Sequence, residues 1–361
     1  MNRIIDLLRD RIGLTCNRFD MLDLDGSSSS EWDENEPPVE EPFEDPPPSG
    51  NCCDIGPLLD PASDPLFRFF IDGSRKTYRV ADVEHNRRYF PLIAAQVGVA
   101  VCERDCRKYG GIGMKPVADA SHIVNALVLP DLIGDSDVEA IRSELADLPR
   151  GYFEVIRYKF RNDGNPLDLA AAAVMQRMHN MEVKAACDLA QAGALSNDAM
   201  LVLDGSLMFR DPKFDIGDFR NVIGIAKRFK PDFTVGKGQK KSHVGIMVGH
   251  LEQGQRTIVH KRTFGRVSLG SWYLRLRPKK RVQGTLGGVV KLELFALGDA
   301  ERENGFDSTR INVISQHVFA ERNVTPFGAD ERWATHLYPM YLTEKYMKSL
   351  FMSPVVFRGL F

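Results

Sequence analysis

The chain has 361 residues, 43% hydrophobic and 27% charged, with a formal net charge of −2. That is globular composition at a length for one large domain or two smaller ones. No apolar run approaches the length of a membrane span and the first residues show no signal-peptide pattern, so a membrane protein is not expected and a cytoplasmic one is. The cysteines, Cys16, Cys52, Cys53, Cys102, Cys106 and Cys187, form no disulfide framework for a chain this long, as in a reducing compartment. Cys102 and Cys106 lack a second Cys or His pair at zinc-like spacing.

Residues 1–18 carry Ile4, Ile5, Leu7, Leu8, Ile12 and Leu14 near helical period, which predicts a short amphipathic helix. Such a helix either docks on a partner or packs on its own domain. Residues 19–50 differ sharply. From Asp20 to Asp45 there are eleven acidic residues and no basic one, with Ser27 to Ser30 and several prolines. This predicts a disordered acidic linker, and the folded body is expected over residues 65–361. Within it, the apolar run Phe69-Phe70-Ile71 predicts a buried strand ending at Asp72, with Gly73 turning the backbone after it. Further strands are expected at 79–80, 94–102 and 123–129. A helix with a capping-box-like start at Ser136 follows, to about residue 148. An Ala-rich helix is predicted over 167–194. Leu201-Val202-Leu203 then leads to a second Asp-Gly-Ser, at Asp204. A short apolar run, 222–226, ends at Lys227.

Beyond it, strand-like runs cover 244–248, 257–260, 267–276 and 289–297, and helices are expected at 308–321 and 338–351. Between Asn221 and Phe295 sixteen Lys or Arg face three acidic residues. A field of that sign attracts polyanions such as DNA. Alternation around Trp272, Tyr273, Arg275 and Arg277 predicts a strand with one basic face. Arg275, Arg277 and Lys279 are candidate phosphate contacts. Trp272, Tyr273 and Phe264 are either base-stacking surfaces or half-buried strand residues. The element pattern indicates an α/β or α+β domain.

Two carboxylates held at strand ends, Asp72 and Asp204, suit a hard divalent cation, Mg²⁺ or Mn²⁺, the core of many phosphodiester-cutting enzymes. Glu182, on the long helix among Met178, Met181, Ala185 and Ala186, either shares that cation or lies on the wet face paired with Lys184 or Arg177. Lys227 either neutralises a phosphate or belongs to a surface basic run. Tyr338 precedes Pro339 at a helix start, where anions are favoured.

In this order, the segments FIDGS, the Arg177–Glu182 helix, LVLDGSL, VIGIAKR and YPMYL resemble the NurA family of nucleases over about residues 65–350. The resemblance implies an RNase H-like (Piwi-like) mixed sheet with flanking helices and a β-rich basic insertion. It implies a homodimeric, Mn²⁺- or Mg²⁺-dependent deoxyribonuclease that degrades DNA with a HerA-like hexameric ATPase, in end processing or anti-phage defence. Asp72, Glu182 and Asp204 would then be metal ligands, with Lys227 and Tyr338 supporting catalysis. The family's His, eight residues after the Tyr, is Tyr346 here, and Glu344 or His336 are its possible replacements. The alternative is a catalytically weak DNA-binding subunit regulating a motor.

Overall fold

The computed structural model describes residues 3–24, 39–60, 63–105, 113–146, 153–209, 214–230, 234–235, 242–264, 267–322 and 331–361. Helix α1 covers Arg3–Ile12 and strand β1 Thr15–Asp23, followed by β2 (Phe67–His85), β3 (Arg88–Asp105) and β4 (His122–Pro130). Next come α2 (Asp135–Ala146), β5 (Phe153–Tyr158), α3 (Pro166–Gln191), β6 (Met200–Asp204) and β7 (Val222–Ala226). The chain continues with α4 (Val244–His250), β8 (His260–Phe264), β9 (Val267–Arg275) and β10 (Val289–Phe295). It closes with α5 (Ser308–Ala320), α6 (Tyr338–Leu350) and a short helix, Pro354–Arg358. A single large sheet runs in the order β8-β9-β10-β7-β6-β2-β3-β4-β5, with Val39–Pro42 added beyond β8. β3 is antiparallel to both β2 and β4, and β6 and β7 run parallel to β2.

The strand bearing Asp72 does not end there. β2 continues for 19 residues, and Asp72 pairs with Ala100 in mid-ladder. The expected turn is instead at Asn86 and Arg87, whose φ values of 50° and 60° make a two-residue hairpin loop. Its geometry matches the right-handed twist of the strands. Residues 79–80 are the middle of β2. β3 is buried from Phe90 to Cys102, because both faces of this central strand are covered, and such strands read as continuous apolar runs.

One face is covered by α3. Asn165 caps it by accepting from the Leu167 N–H at 3.1 Å, with Pro166 in the first turn. Its alanines lie close against Ile93, Val97 and Val101 of β3. The other face carries α5 under β7, β9 and β10, and a layer of α1, α2 and the C-terminal segment over β2–β4. Ile4, Ile5 and Leu8 of α1 are buried there beside Phe357 and Phe361. Of the two readings of residues 1–18, packing on the chain's own domain is the one observed. The acidic linker expected over 19–50 also needs correction. β1 pairs with β2, Val39–Pro42 with β8, and Cys52–Asp54 with Gln255–Thr257, so both flanks belong to the sheet. Residues 25–38 lie outside the described residues.

The run at 244–248 is a helix, not a strand. Val244, Met247, Val248 and Leu251 are the buried positions, which is helical period, and short apolar runs do not reveal their period by hydrophobicity alone. The basic face expected on β9 is also absent. Trp272, Tyr273 and Arg275 are fully buried and Arg277 nearly so. Arg275 donates to the carbonyls of Gly287, Thr285 and Val248, Arg256 is closed by Glu44 and Asn312, and Lys291 by Glu293. Much of the basic segment is therefore internal structure, and the aromatics Trp272 and Tyr273 are core. The side chain of Phe264 and all of Cys106 lie outside the described residues; Cys102 is buried in β3. Among the described residues no helix is long and apolar enough to cross a membrane.

Candidate active site

The parallel pairing of β6 with β2 sets Leu203 opposite Ile71, so Asp204 and Asp72 come out side by side. Asp72 is 6% exposed, and among the described residues no donor hydrogen-bonds its carboxylate. Burial raises its pKa well above the ordinary range, and the neighbouring Asp204, Glu344 and Glu182 carboxylates push the same way against Lys227. Asp204 is held by Lys227, whose Nζ donates to Oδ2 at 2.5 Å. Burial works against the lysine's charge, but Asp204 and Asp72 outweigh it and keep the ammonium protonated.

Glu182 is on the sheet side of α3, 4% exposed. The wet-face alternative fails on its named partners: Arg177 forks onto Glu154 at 2.6 and 3.0 Å, and Lys184 pairs with Asp188. Glu182 instead meets His179 Nδ1 at 3.2 Å and the backbone N–H of Gly73. Burial raises its pKa, partly offset by His179. Gly73 is required for close approach rather than for a turn. A Cβ there would run into the Glu182 carboxylate and come within 2.8 Å of Met178 Cγ.

The structure thus brings Asp72, Glu182, Asp204 and Lys227 together and adds Glu344. Of the two replacements left open for the family's His, Glu344 on α6 acts electrostatically on both Asp72 and Lys227 while its Oε1 accepts from Lys348 at 2.6 Å. His336 is buried, its ring 6.3 Å from that of Tyr341. Tyr346 packs beside Ala100, Met347 and Phe351. Tyr338, half exposed at the start of α6, is tied in through its backbone, its N–H donating to the Glu321 carbonyl at 2.8 Å.

Two residues that sequence reasoning did not single out complete the arrangement. Fully buried Glu293 of β10 accepts from Ser206 Oγ and the Leu207 N–H, both at 2.7 Å, and pairs with Lys291 at 2.8 Å. It fixes the loop that follows Asp204. Lys291 and these hydrogen bonds outweigh burial and hold its pKa below the usual range. The signal was present: two charges inside the apolar run Val289–Phe295, where unpaired charges are rarely buried. His179 is the other, one helical turn from Glu182, with its ring 5.0 Å from Phe209.

The donor set is hard oxygen throughout, and the buried Asp72 and Glu182 carboxylates are costly without a compensating positive charge. Lys227 supplies part of it; a divalent cation would supply the rest, so these residues fit one. As they stand, no three His, Cys, Asp or Glu side chains among the described residues are gathered into a metal-binding set. Asp204 turns to Lys227 and Glu182 to His179. Compared with known proteins, the chain matches no family model and no curated sequence.

Proposed function

We propose that the chain is a divalent-metal-dependent DNA nuclease with an RNase H-like core. The observation that carries this reading is the gathering of Asp72, Asp204 and Glu344, from two parallel strands and a helix, around one buried ammonium, Lys227, with Glu182 of α3 beside the two aspartates. The strand order β4-β3-β2-β6-β7, an antiparallel meander followed by two strands parallel to its first, supports the RNase H-like assignment. Asp72, Glu182 and Asp204 would hold Mn²⁺ or Mg²⁺, with Glu344 in the position left by the absent His. The cation would supply Lewis-acid stabilisation of a phosphodiester in cleavage. Lys227 presents a positive charge where a phosphate oxygen develops negative charge. Glu293 keeps the Asp204 loop rigid, and His179 orients Glu182. Homodimerisation and work with a HerA-like hexameric ATPase follow from the family resemblance.

The test pairs binding with cleavage. Mn²⁺ titration followed by electron paramagnetic resonance should show a site that Asp72→Asn and Asp204→Asn each lose, and both variants should fail to cut single- or double-stranded DNA with Mn²⁺. Cleavage at the parental rate by either variant refutes the assignment. A parental protein that binds Mn²⁺ and DNA yet does not cut is the regulatory subunit instead.

A further inference from the structure

Three arginines near the C-terminal end of the basic segment and the end of α5, Arg277, Arg281 and Arg322, have no acidic partner among the described residues. Arg277, two residues beyond β9, is 6% exposed. Its Nε donates weakly to the Ala334 carbonyl at 3.4 Å and its guanidinium lies 5.0 Å from the Trp333 ring centroid. Its Nη2 is buried with no acceptor. Arg322 follows α5, stacks on Phe319 at 3.9 Å and donates to the Phe319 carbonyl at 2.6 Å. Its backbone bridges Leu337, three residues past Ala334. Arg281 ends the turn Lys279–Arg281, which Pro278 separates from Arg277. Both neighbours act on Arg277: burial, then Arg322 and Arg281, push its pKa down to about 10. The nearest acid along the chain, Glu321, is already paired with Arg104. Among the described residues no carboxylate is paired with any of the three.

Like charges are gathered here at a cost, and a buried guanidinium donor without an acceptor costs more. Among the described residues only the Trp333 ring and the long hydrogen bond to the Ala334 carbonyl offset that cost for Arg277. Planar guanidiniums bind phosphate oxygens in a fork and are less strongly hydrated than ammonium groups, so they tolerate burial while awaiting such a ligand. We propose that Arg277, Arg281 and Arg322 form an oxyanion site that takes a phosphate group of a nucleic-acid strand. Naming a nucleic acid rests on the nuclease reading above; the site's chemistry does not. The site flanks the start of α6. Glu344 lies six residues further on, roughly 9 Å along the helix axis, so the strand held here leads toward the carboxylates. The phosphate is either an internal phosphodiester or a 5′-terminal phosphate.

The experiment uses the full chain in EDTA, so that no cleavage enters, and fluorescein-labelled single-stranded DNA with or without a 5′-phosphate. Anisotropy gives affinity across a salt series. Removing one phosphate contact from a single strand lowers the slope of log affinity against log salt by about 0.7. Arg281→Gln and Arg322→Gln should each show that loss with unchanged circular dichroism. Arg142→Gln, on the exposed face of α2 and paired with Glu139, should show none. Arg277→Lys keeps the charge but not the fork, and should weaken binding with the slope retained. A loss on both oligonucleotides assigns an internal phosphodiester; a loss only on the phosphorylated one assigns a terminal phosphate. Parental slopes in both glutamine variants, an equal loss in Arg142→Gln, or no DNA binding by the parental protein overturns the proposal. The Mn²⁺ titration on Asp72→Asn is independent of all these outcomes, so failure here and failure of the nuclease reading are separable.

Discussion

A carboxylate buried beside other carboxylates, with no hydrogen bond to it among the described residues and only Lys227 to offset them, is a stability liability. Asp72 is that residue. Asp72→Asn should therefore raise the thermal unfolding midpoint of the metal-free protein while removing cation binding; a lowered midpoint would mean that its charge supports the fold. Glu293 has the opposite character. Its carboxylate is satisfied by Lys291, Ser206 and Leu207, and removing one member of a buried pair strands the other. Glu293→Ala should cost about 3 kcal/mol or more by urea denaturation and, under the proposed nuclease function, slow cleavage through the Asp204 loop. His260 gives the pH dependence. It is 1% exposed, neither ring nitrogen has a hydrogen-bond partner among the described residues, and burial with Arg262 nearby lowers its pKa to about 4. Its folded form stays neutral while the unfolded chain takes up a proton near pH 6.5. Stability from this residue is thus complete above about pH 6.5 and is lost as pH falls toward 4, by about 3 kcal/mol. Unfolding free energies of His260→Phe across that range should fall less steeply than those of the parental protein.

At the scale of elements, α1 is the clearest departure from expectation. With Ile4, Ile5 and Leu8 buried, each worth about 1.5–3 kcal/mol, deleting residues 1–14 should lower the unfolding midpoint and the soluble yield. An unaltered midpoint would return α1 to the role of a free docking helix. Its stripe was legible, but an amphipathic pattern says that a face is covered and not by what. Helix α3 and the short strands ending at Asp204 and Ala226 were readable because period, caps and turn residues agree. The β2–β3 hairpin was not, since its loop residues Asn86 and Arg87 carry no Gly and its second strand is apolar on both faces. The basic stretch misled for a related reason. Charge counts see Arg256, Arg275 and Lys291 but not the carbonyls and carboxylates that close over them. In the candidate site, the Asp-Gly-Ser pair was legible, while Glu344 needed α6 to be placed against β2. Gly73→Ala probes the packing of α3 on β2. The added methyl displaces Glu182 and Met178, so stability should drop by about 1–3 kcal/mol and Mn²⁺ affinity with it.

At the scale of the molecule, the chain's two termini meet over one face of the large sheet, above β2–β4. The Ile4 N–H donates to the Leu360 carbonyl at 3.3 Å, and Gln96 brackets Met352 from both sides, at 2.8 and 3.2 Å. Removing residues 352–361 should therefore speed proteolysis within α1 as well as lower overall stability, and limited trypsin digestion would register it. The 19-residue strand β2 has one more consequence. From Asp72 to His85 it spans up to about 43 Å at the rise of a β-strand, in one hydrogen-bonded ladder with β3. It is a ruler built into the protein. A spin label at His85, the last residue of β2, and another on α6 at Lys345 would measure how far that helix moves relative to the strand when Mn²⁺ or DNA is added.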